Sequence, residues 1–309
     1  MIKKRNIYYK NWIHEWLENK QKYVKESTFS NYNNLIYNHI IPSLGNFRLM
    51  ELNNELLQQF IFLKADDLSP KTLKNIMSIV KSSIGKAIKE NKIKQFDLLF
   101  TYPNDRKKRT VEVFEQKEQR KLLHYCNENI SNANIGIMLC LFTGIRIGEL
   151  SALQWRHIDL KNNIISIELT LQRIYTKNEN SGKSKVIITS PKTISSIRQI
   201  PISKDFAALL KSIRGNSNDY LISGNSHYVE PRTYRRYFKK VLMKIRIRTL
   251  HFHSLRHSFA TNCISLKIDP KTVSELLGHN SVQTTLNLYV HPTMKEKTKC
   301  INQLYKSLL

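Results

Sequence analysis

The sequence predicts a mainly α-helical protein with a small antiparallel sheet: an N-terminal helical bundle followed by a larger mixed domain. Three observations carry this. Residues 8–100 show helical periodicity almost throughout. A basic stretch without periodicity, TYPNDRKKRT at 101–110, separates them from the rest. Beyond it, helical segments flank three short β-branched runs. The expected division is a bundle at 1–100, a linker at 101–110, and a domain at 111–309 ending in a tail helix.

In the bundle, YYKNWIHEWLEN puts Trp12 and Trp16 four apart beside Ile13 and Leu17, giving one apolar face. STFSNYNNLIYNHIIPSLG predicts a second helix, capped by Ser27 or Thr28 and stopping before Pro42, with Gly45 in the turn. NNELLQQFIFLK is a third. A fourth opens at Ser69-Pro70, where serine can cap and proline fits the first helical position. After the linker, EQKEQRKLLHYCNEN and ANIGIMLCLFTG are helical. NIISIEL, KVIITS and IRQIPI read as strands, with TKNENSGKSK as a flexible hairpin tip. Helices return at SKDFAALLKSIR, PRTYRRYFKKVLMKI, SLRHSFATNCISL, DPKTVSELLGH and SVQTTLNLYVH, with Asp269 and Ser281 as starts.

Charge sets the class of partner. Lysine and arginine number 50 against 24 acids, a net of +26 in 309 residues. Residues 1–100 carry 16 basic and 9 acidic side chains, so both parts are basic. This suits two modules gripping one polyanion, with nucleic acid the leading partner. No run of apolar residues is long enough to span a membrane, and MIKKRNIYYKNW lacks the apolar core of a signal peptide. Cys126, Cys140, Cys263 and Cys300 are scattered without a paired motif. This argues for a reducing cytosol and against a zinc site or disulfide framework. Abundant lysine, asparagine and isoleucine point to a low-GC bacterium or its phage.

Four segments carry candidate chemistry. In LFTGIRIGELSALQW, Gly144 breaks a helix and Arg146 stands where the next begins. A phosphate is well received there, and Glu149, three residues on, can brace the guanidinium. A surface ion pair fits this segment equally well. In SPKTISSIRQIPI, Lys192 falls on a turn between predicted strands, as an ordinary lysine or a proton donor. In HFHSLRHSFAT, His253 and Arg256 share a helix face, a proton-transfer group beside a phosphate clamp. His253 and His257 have metal-ligand spacing, but no acid or cysteine completes a set, so no metal is expected. In LLGHNSVQTTLNLYVH, His279 follows Gly278 and Tyr289 comes ten residues later. A phenol is a nucleophile once its proton is taken, or else a core aromatic.

The order Arg146, Lys192, His253-x-x-Arg256, His279, Tyr289 resembles the tyrosine recombinases, the phage-integrase family. TGIRIGEL, HSLRHSFAT, LLGHNSVQTTLNLYVH, SPKT and the IRQIPI strand are similar to that family's motifs. WLENKQKYVKESTFSNYNNLIYNHIIPSLGNFRLMELN looks like its core-binding domain. The resemblance covers roughly residues 8 to 300. Many members carry a further N-terminal arm-binding domain; here seven residues precede Tyr8. His251 and His257 match no catalytic position and are set aside.

The resemblance implies a C-terminal tyrosine-recombinase catalytic domain on a core-type DNA-binding bundle. Tyr289 would attack a phosphodiester, leaving a 3′-phosphotyrosine link and a 5′-hydroxyl. Arg146 and Arg256 would hold the non-bridging oxygens, Glu149 supporting. Lys192 would protonate the leaving oxygen, His253 would take the tyrosine proton or share acid–base work, and His279 would donate to the phosphate. Guanidinium groups then carry the charge stabilisation and no cofactor is implied. The expected partners are double-stranded DNA at specific core sites, further copies as a tetramer on DNA, and an accessory bending or excision factor. Arg232, Arg235 and Arg236 in PRTYRRYFKKVLMKI are candidates for groove contacts, or members of a basic surface helix. In the tail KEKTKCINQLYKSLL, Ile301, Leu304 and Leu308 with Tyr305 form an apolar edge that would dock on a neighbouring protomer or pack at home. The place of action is the bacterial cytoplasm, at the nucleoid. The functions compared are integration and excision of a mobile element, resolution of chromosome or plasmid dimers, nicking and closing in the manner of a topoisomerase, and non-catalytic sequence-specific DNA binding.

Overall fold

The computed structural model describes residues 7–103, 111–178, 181–191, 196–290 and 294–308. Residues 104–110 of the expected linker and Lys192 lie outside them. The chain forms two compact units, one from Met1–Arg109 and Arg173–Val186, the other from Thr110–Gln172 and Ile187–Leu309. The architecture is mainly helical with small antiparallel sheets, as expected.

The first unit contains α1 (Tyr9–Gln21), α2 (Glu26–Leu35), α3 (Ile41–Leu44), α4 (Asn54–Ala65) and α5 (Pro70–Lys89). Asn53 and Ser69 cap α4 and α5 by accepting from Leu56 N (2.9 Å) and Thr72 N (3.2 Å). The second helix differs from expectation at both ends. It starts at Glu26, because Lys25 O takes the first amides and Glu26 favours the positive end of the helix dipole. It does not stop before Pro42. A π-helical turn, Ile36–Ile40, leads into α3, where Pro42 occupies the first turn. The wider turn closes with Ile41 N–H on Ile36 O, immediately ahead of the proline, which has no N–H to offer.

Trp12, Ile13, Trp16 and Leu17 are buried against Ile76, Val80 and Ile84. Inside this core lies a small polar network. Ser83 Oγ donates to Val80 O (2.9 Å), so it accepts from the Tyr9 hydroxyl (2.7 Å), while Trp12 Nε1 donates to Ser83 O (3.0 Å).

A hairpin enters this unit from far along the chain. Its strands are β3 (Thr170–Asn178) and β4 (Ser181–Thr189), longer than the expected strand and running through most of the expected tip. Alternation is broken by lysine, asparagine and serine there, which hides the strands from the pattern. Ser30 Oγ donates to Tyr175 O and accepts from Tyr175 N, both at 2.8 Å, and Lys185 pairs with Glu26.

The second unit holds α6 (Gln116–Glu128), α7 (Asn132–Thr143), α8 (Ile147–Ala152), α9 (Lys204–Ser212), α10 (Pro231–Lys244), α11 (His253–Ser265), α12 (Pro270–Leu277), α13 (Val282–Tyr289) and α14 (Met294–Leu308). α7 is apolar almost all round and packs between α6 and α11. β1 (Ile158–Asp159), β2 (Ile164–Ile167) and β5 (Arg198–Pro201) form an antiparallel sheet in the order β1-β2-β5. Its register sets Ile165 opposite Ile200 and Ile167 opposite Arg198, which brings an arginine onto the core face. On α14, Ile301, Leu304 and Tyr305 are exposed. No helix among the described residues is long and apolar enough to cross a membrane.

Replacing Ser83 by alanine leaves the Tyr9 hydroxyl buried without its acceptor. The expected loss in a urea melt is about 1–3 kcal/mol. Adding Tyr9→Phe should cost less in that background than in the native chain; strictly additive losses would contradict the network.

Candidate active site

The site is organised by the C-terminal end of α12. A helix leaves its last carbonyls without intrahelical donors and carries partial negative charge there. Three consecutive carbonyls each receive a different arginine: Leu276 O from Arg198 Nε (2.6 Å), Leu277 O from Arg256 Nη2 (2.7 Å) and Gly278 O from Arg146 Nη2 (2.9 Å). Gly278 makes the turn possible. Its φ of +64° ends the helix in the left-handed conformation, which glycine adopts without a Cβ penalty.

A second helix end contributes from the other side. α7 stops at Gly144, also left-handed at φ +66°, and Gly144 O accepts from Arg256 Nη1 (2.7 Å). A Cβ at 144 would stand 2.5 Å from Phe259 Cδ1 and 2.7 Å from Leu277 Cδ2, so the close approach of α7, α11 and α12 needs glycine here. The chain then turns directly into Arg146 at the start of α8.

One carboxylate braces the arginines. Glu149 is 3% exposed. Its Oε1 accepts from Arg146 Nη1 (2.7 Å), its Oε2 from the Arg146 backbone N–H (2.9 Å), and Arg198 binds both oxygens (3.2 and 2.9 Å). Burial disfavours the ionised carboxyl, but the hydrogen bonds and charge of Arg198, then of Arg146, outweigh it and hold the group below its usual range. Three guanidinium groups thus share one acid, and helix-end dipoles supply the remaining compensation. The pocket stays cationic, the condition for attracting a phosphate. Arg256 is 2% exposed; burial, then the Arg146 charge, pull it down to about 9, still cationic at neutral pH. Arg146 keeps 35% of its side chain open.

The remaining expected residues stand around these cations. His279 follows the turn, and its Nδ1 is 2.8 Å from the buried Thr285 Oγ1. Partial burial, then Arg256, Arg146 and Arg198, lower it to about 4. His253 opens α11. Desolvation, then His257, Arg256, Arg146 and Arg235, lower it also to about 4. Both rings are therefore neutral at pH 7. Tyr289, in the last turn of α13, is 8% exposed; burial raises its phenol, and Arg256 and Arg146 work in the opposite sense. Arg146, Arg256, His253, His279, Glu149 and Tyr289 are thus gathered in one place. Lys192 lies outside the described residues. Arg232, Arg235 and Arg236 are exposed on α10, and among them Arg235 acts on His253.

Three participants were not singled out from the sequence. Arg198 had a signal: in IRQIPI it shares the inward alternation of Ile200. Thr285 had none. His257 was set aside, yet its Nδ1 lies 2.6 Å from the Tyr289 hydroxyl.

Residues 112–296 match the family model described as the phage integrase family, and residues 8–63 match the phage integrase N-terminal SAM-like domain. The chain is 26% identical to a tyrosine recombinase XerC-like protein of Caldanaerobacter subterraneus subsp. tengcongensis, over 95% of this chain and 80% of the relative. It is 27% identical to the integrase of Staphylococcus phage L54a, over 95% and 91%. It is 25% identical to the transposase of transposon Tn916 from Enterococcus faecalis, over 76% of this chain and 62% of that protein. The fold is similar to the Tn1549 transposon integrase solved with transposon right end DNA (TM-score 0.76, 20% identity, 97% and 100% of the chains). It is also similar to a lambda integrase tetramer bound to a Holliday junction (TM-score 0.67, 18% identity, 94% and 80%). With its catalytic model matched over more than half its length, the chain belongs to the phage integrase family, the tyrosine recombinases, which cleave and rejoin DNA strands in site-specific recombination.

Proposed function

We propose that the chain recombines DNA at specific core sites through a 3′-phosphotyrosine intermediate formed by Tyr289, and that it integrates and excises a mobile element. The observation that carries the chemistry is the fixed cluster of Arg146 and Arg256 acting on the Tyr289 phenol. A phosphodiester gains charge on its non-bridging oxygens as the nucleophile adds. Cations already held by backbone carbonyls meet that charge with little reorganisation. Arg146 and Arg256 bind the two oxygens, and His253 and His279, neutral at rest, donate hydrogen bonds. Lys192 protonates the departing 5′-oxygen. The phosphotyrosine bond conserves the energy of the broken linkage, so a second 5′-hydroxyl reseals it without ATP.

The mobile-element reading is supported by the phage and transposon relatives. Dimer resolution shares the chemistry, and the relatives named tyrosine recombinase XerC-like and XerD keep it as the second reading. The bundle, residues 1–100, and the catalytic part, 111–309, act as two basic modules on one duplex joined by 101–110, with Arg232, Arg235 and Arg236 reading a groove. The exposed edge of α14 docks on a neighbouring copy to build a tetramer, and an accessory bending or excision factor sets direction. The place of action is the bacterial cytoplasm, at the nucleoid.

Nicked suicide duplexes drawn from a randomised pool test the chemistry. The native protein should yield an SDS-resistant protein–DNA adduct and Tyr289→Phe none; an adduct with Tyr289→Phe would move the nucleophile elsewhere. Arg146→Ala or Arg256→Ala should slow adduct formation by about 10²–10³-fold. Glu149→Ala leaves buried cations unopposed and should cost about 3–5 kcal/mol in a denaturant melt, with part recovered by adding Arg198→Met. Deleting residues 297–309 should impair strand exchange more than binding to a single site; equal loss of both would count against the docking role.

A further inference from the structure

We propose that His257 is the group that takes the proton from Tyr289 as the phenol attacks, and returns it when the strand is resealed. This deepens the reading above and rests on Tyr289 being the nucleophile. His257 follows Arg256 on α11, so the residue that binds phosphate and the residue that meets the nucleophile are adjacent on one helix. Its Nδ1 stands 2.6 Å from the Tyr289 oxygen, with ring centroids 5.7 Å apart and planes tilted by 52°. Among the described residues, no other side chain hydrogen-bonds that oxygen. His253 stands edge-on behind it, centroids 4.5 Å apart at 86°, and fixes the ring.

The chemistry balances within this pair and the DNA. In the Nε2-protonated tautomer, Nδ1 accepts the hydrogen bond from the phenol. As the phenolic oxygen bonds to phosphorus, its O–H bond breaks and an N–H bond forms on His257. The phosphorus–5′-oxygen bond breaks, and the leaving oxygen takes a proton from the general acid on its own side. Burial, then the Arg256 charge, keep the His257 imidazole neutral at rest, the form that accepts a proton. The phosphate's charge offsets the imidazolium that forms. In resealing, the 5′-hydroxyl attacks and gives its proton back to that general acid, the phosphorus–phenol bond breaks, and His257 returns its own proton to the phenolic oxygen. This assignment leaves His253 and His279 to the phosphate.

The test uses the full chain and nicked duplexes that the native protein has captured covalently from a randomised pool. His257→Ala removes the base. His257→Asn keeps a hydrogen-bonding group near the phenol but accepts no proton. Both should bind the captured duplexes and melt as the native protein does, and both should form adduct about 100-fold more slowly. Imidazole in solution should restore much of the alanine variant's rate. A bridging 5′-phosphorothiolate separates the two proton transfers, because a thiolate leaves without protonation. On that substrate the His257 variants should stay slow, whereas Lys192→Ala recovers. Native rates with His257→Asn would reduce the residue to orientation and overturn the proposal. So would recovery of the His257 variants on the phosphorothiolate. Absence of any adduct with the native protein would instead overturn the Tyr289 reading beneath it.

Discussion

Everything at this site depends on how three clustered cations, the Arg198 and Arg256 side chains buried and Arg146 partly open, are held without being neutralised. Full pairing with carboxylates would stabilise the arginines and leave nothing for a phosphate. Here Leu276, Leu277 and Gly278 offer three successive carbonyls at the end of α12, Gly144 offers another at the end of α7, and Glu149 supplies one charge. Dipoles orient the guanidinium groups and offset part of their desolvation while leaving a net positive pocket. The two left-handed glycines are what allow both helix ends to point inward. The TGIR and LGH motifs are thus two halves of one electrostatic device, contributed by positions 132 residues apart.

The chain's large basic excess and this pocket do different work. Exposed lysines and arginines bind phosphates anywhere along a duplex, weakly and in a salt-dependent way. The pocket's charges lie in a low-dielectric setting where a single contact is worth more. Arg235 connects the two regimes: it is exposed on α10 yet its charge reaches His253.

Much of this was legible in the sequence where the causes are local. Caps at Ser69, Asp269 and Ser281, the i, i+3 brace of Glu149 on Arg146, and the helix breaks at Gly144 and Gly278 depend on neighbours a few residues away. What escaped depends on distance along the chain. Arg198 meets Glu149 across 49 residues and Leu276 across 78, so nothing local to IRQIPI reveals that its inward arginine has partners. His257 was passed over because it matches no catalytic position of the resembled family and its spacing offered only a metal role, while its partner Tyr289 lies 32 residues on. The π turn before Pro42 escaped because a proline signals a stop whenever the register ahead of it is assumed to be α. The hairpin that reaches Ser30 escaped because its pairing is set 145 residues away.

On the proposed reading, Arg146 and Arg256 act on the charge of one phosphate. Replacing a non-bridging oxygen of the scissile phosphate by a methyl group removes that charge while keeping the leaving group. Cleavage of this methylphosphonate by Arg146→Ala and Arg256→Ala should approach the native protein's rate on the same substrate. Equal defects of the two variants on phosphate and methylphosphonate would show that the arginines serve the fold rather than the reacting group.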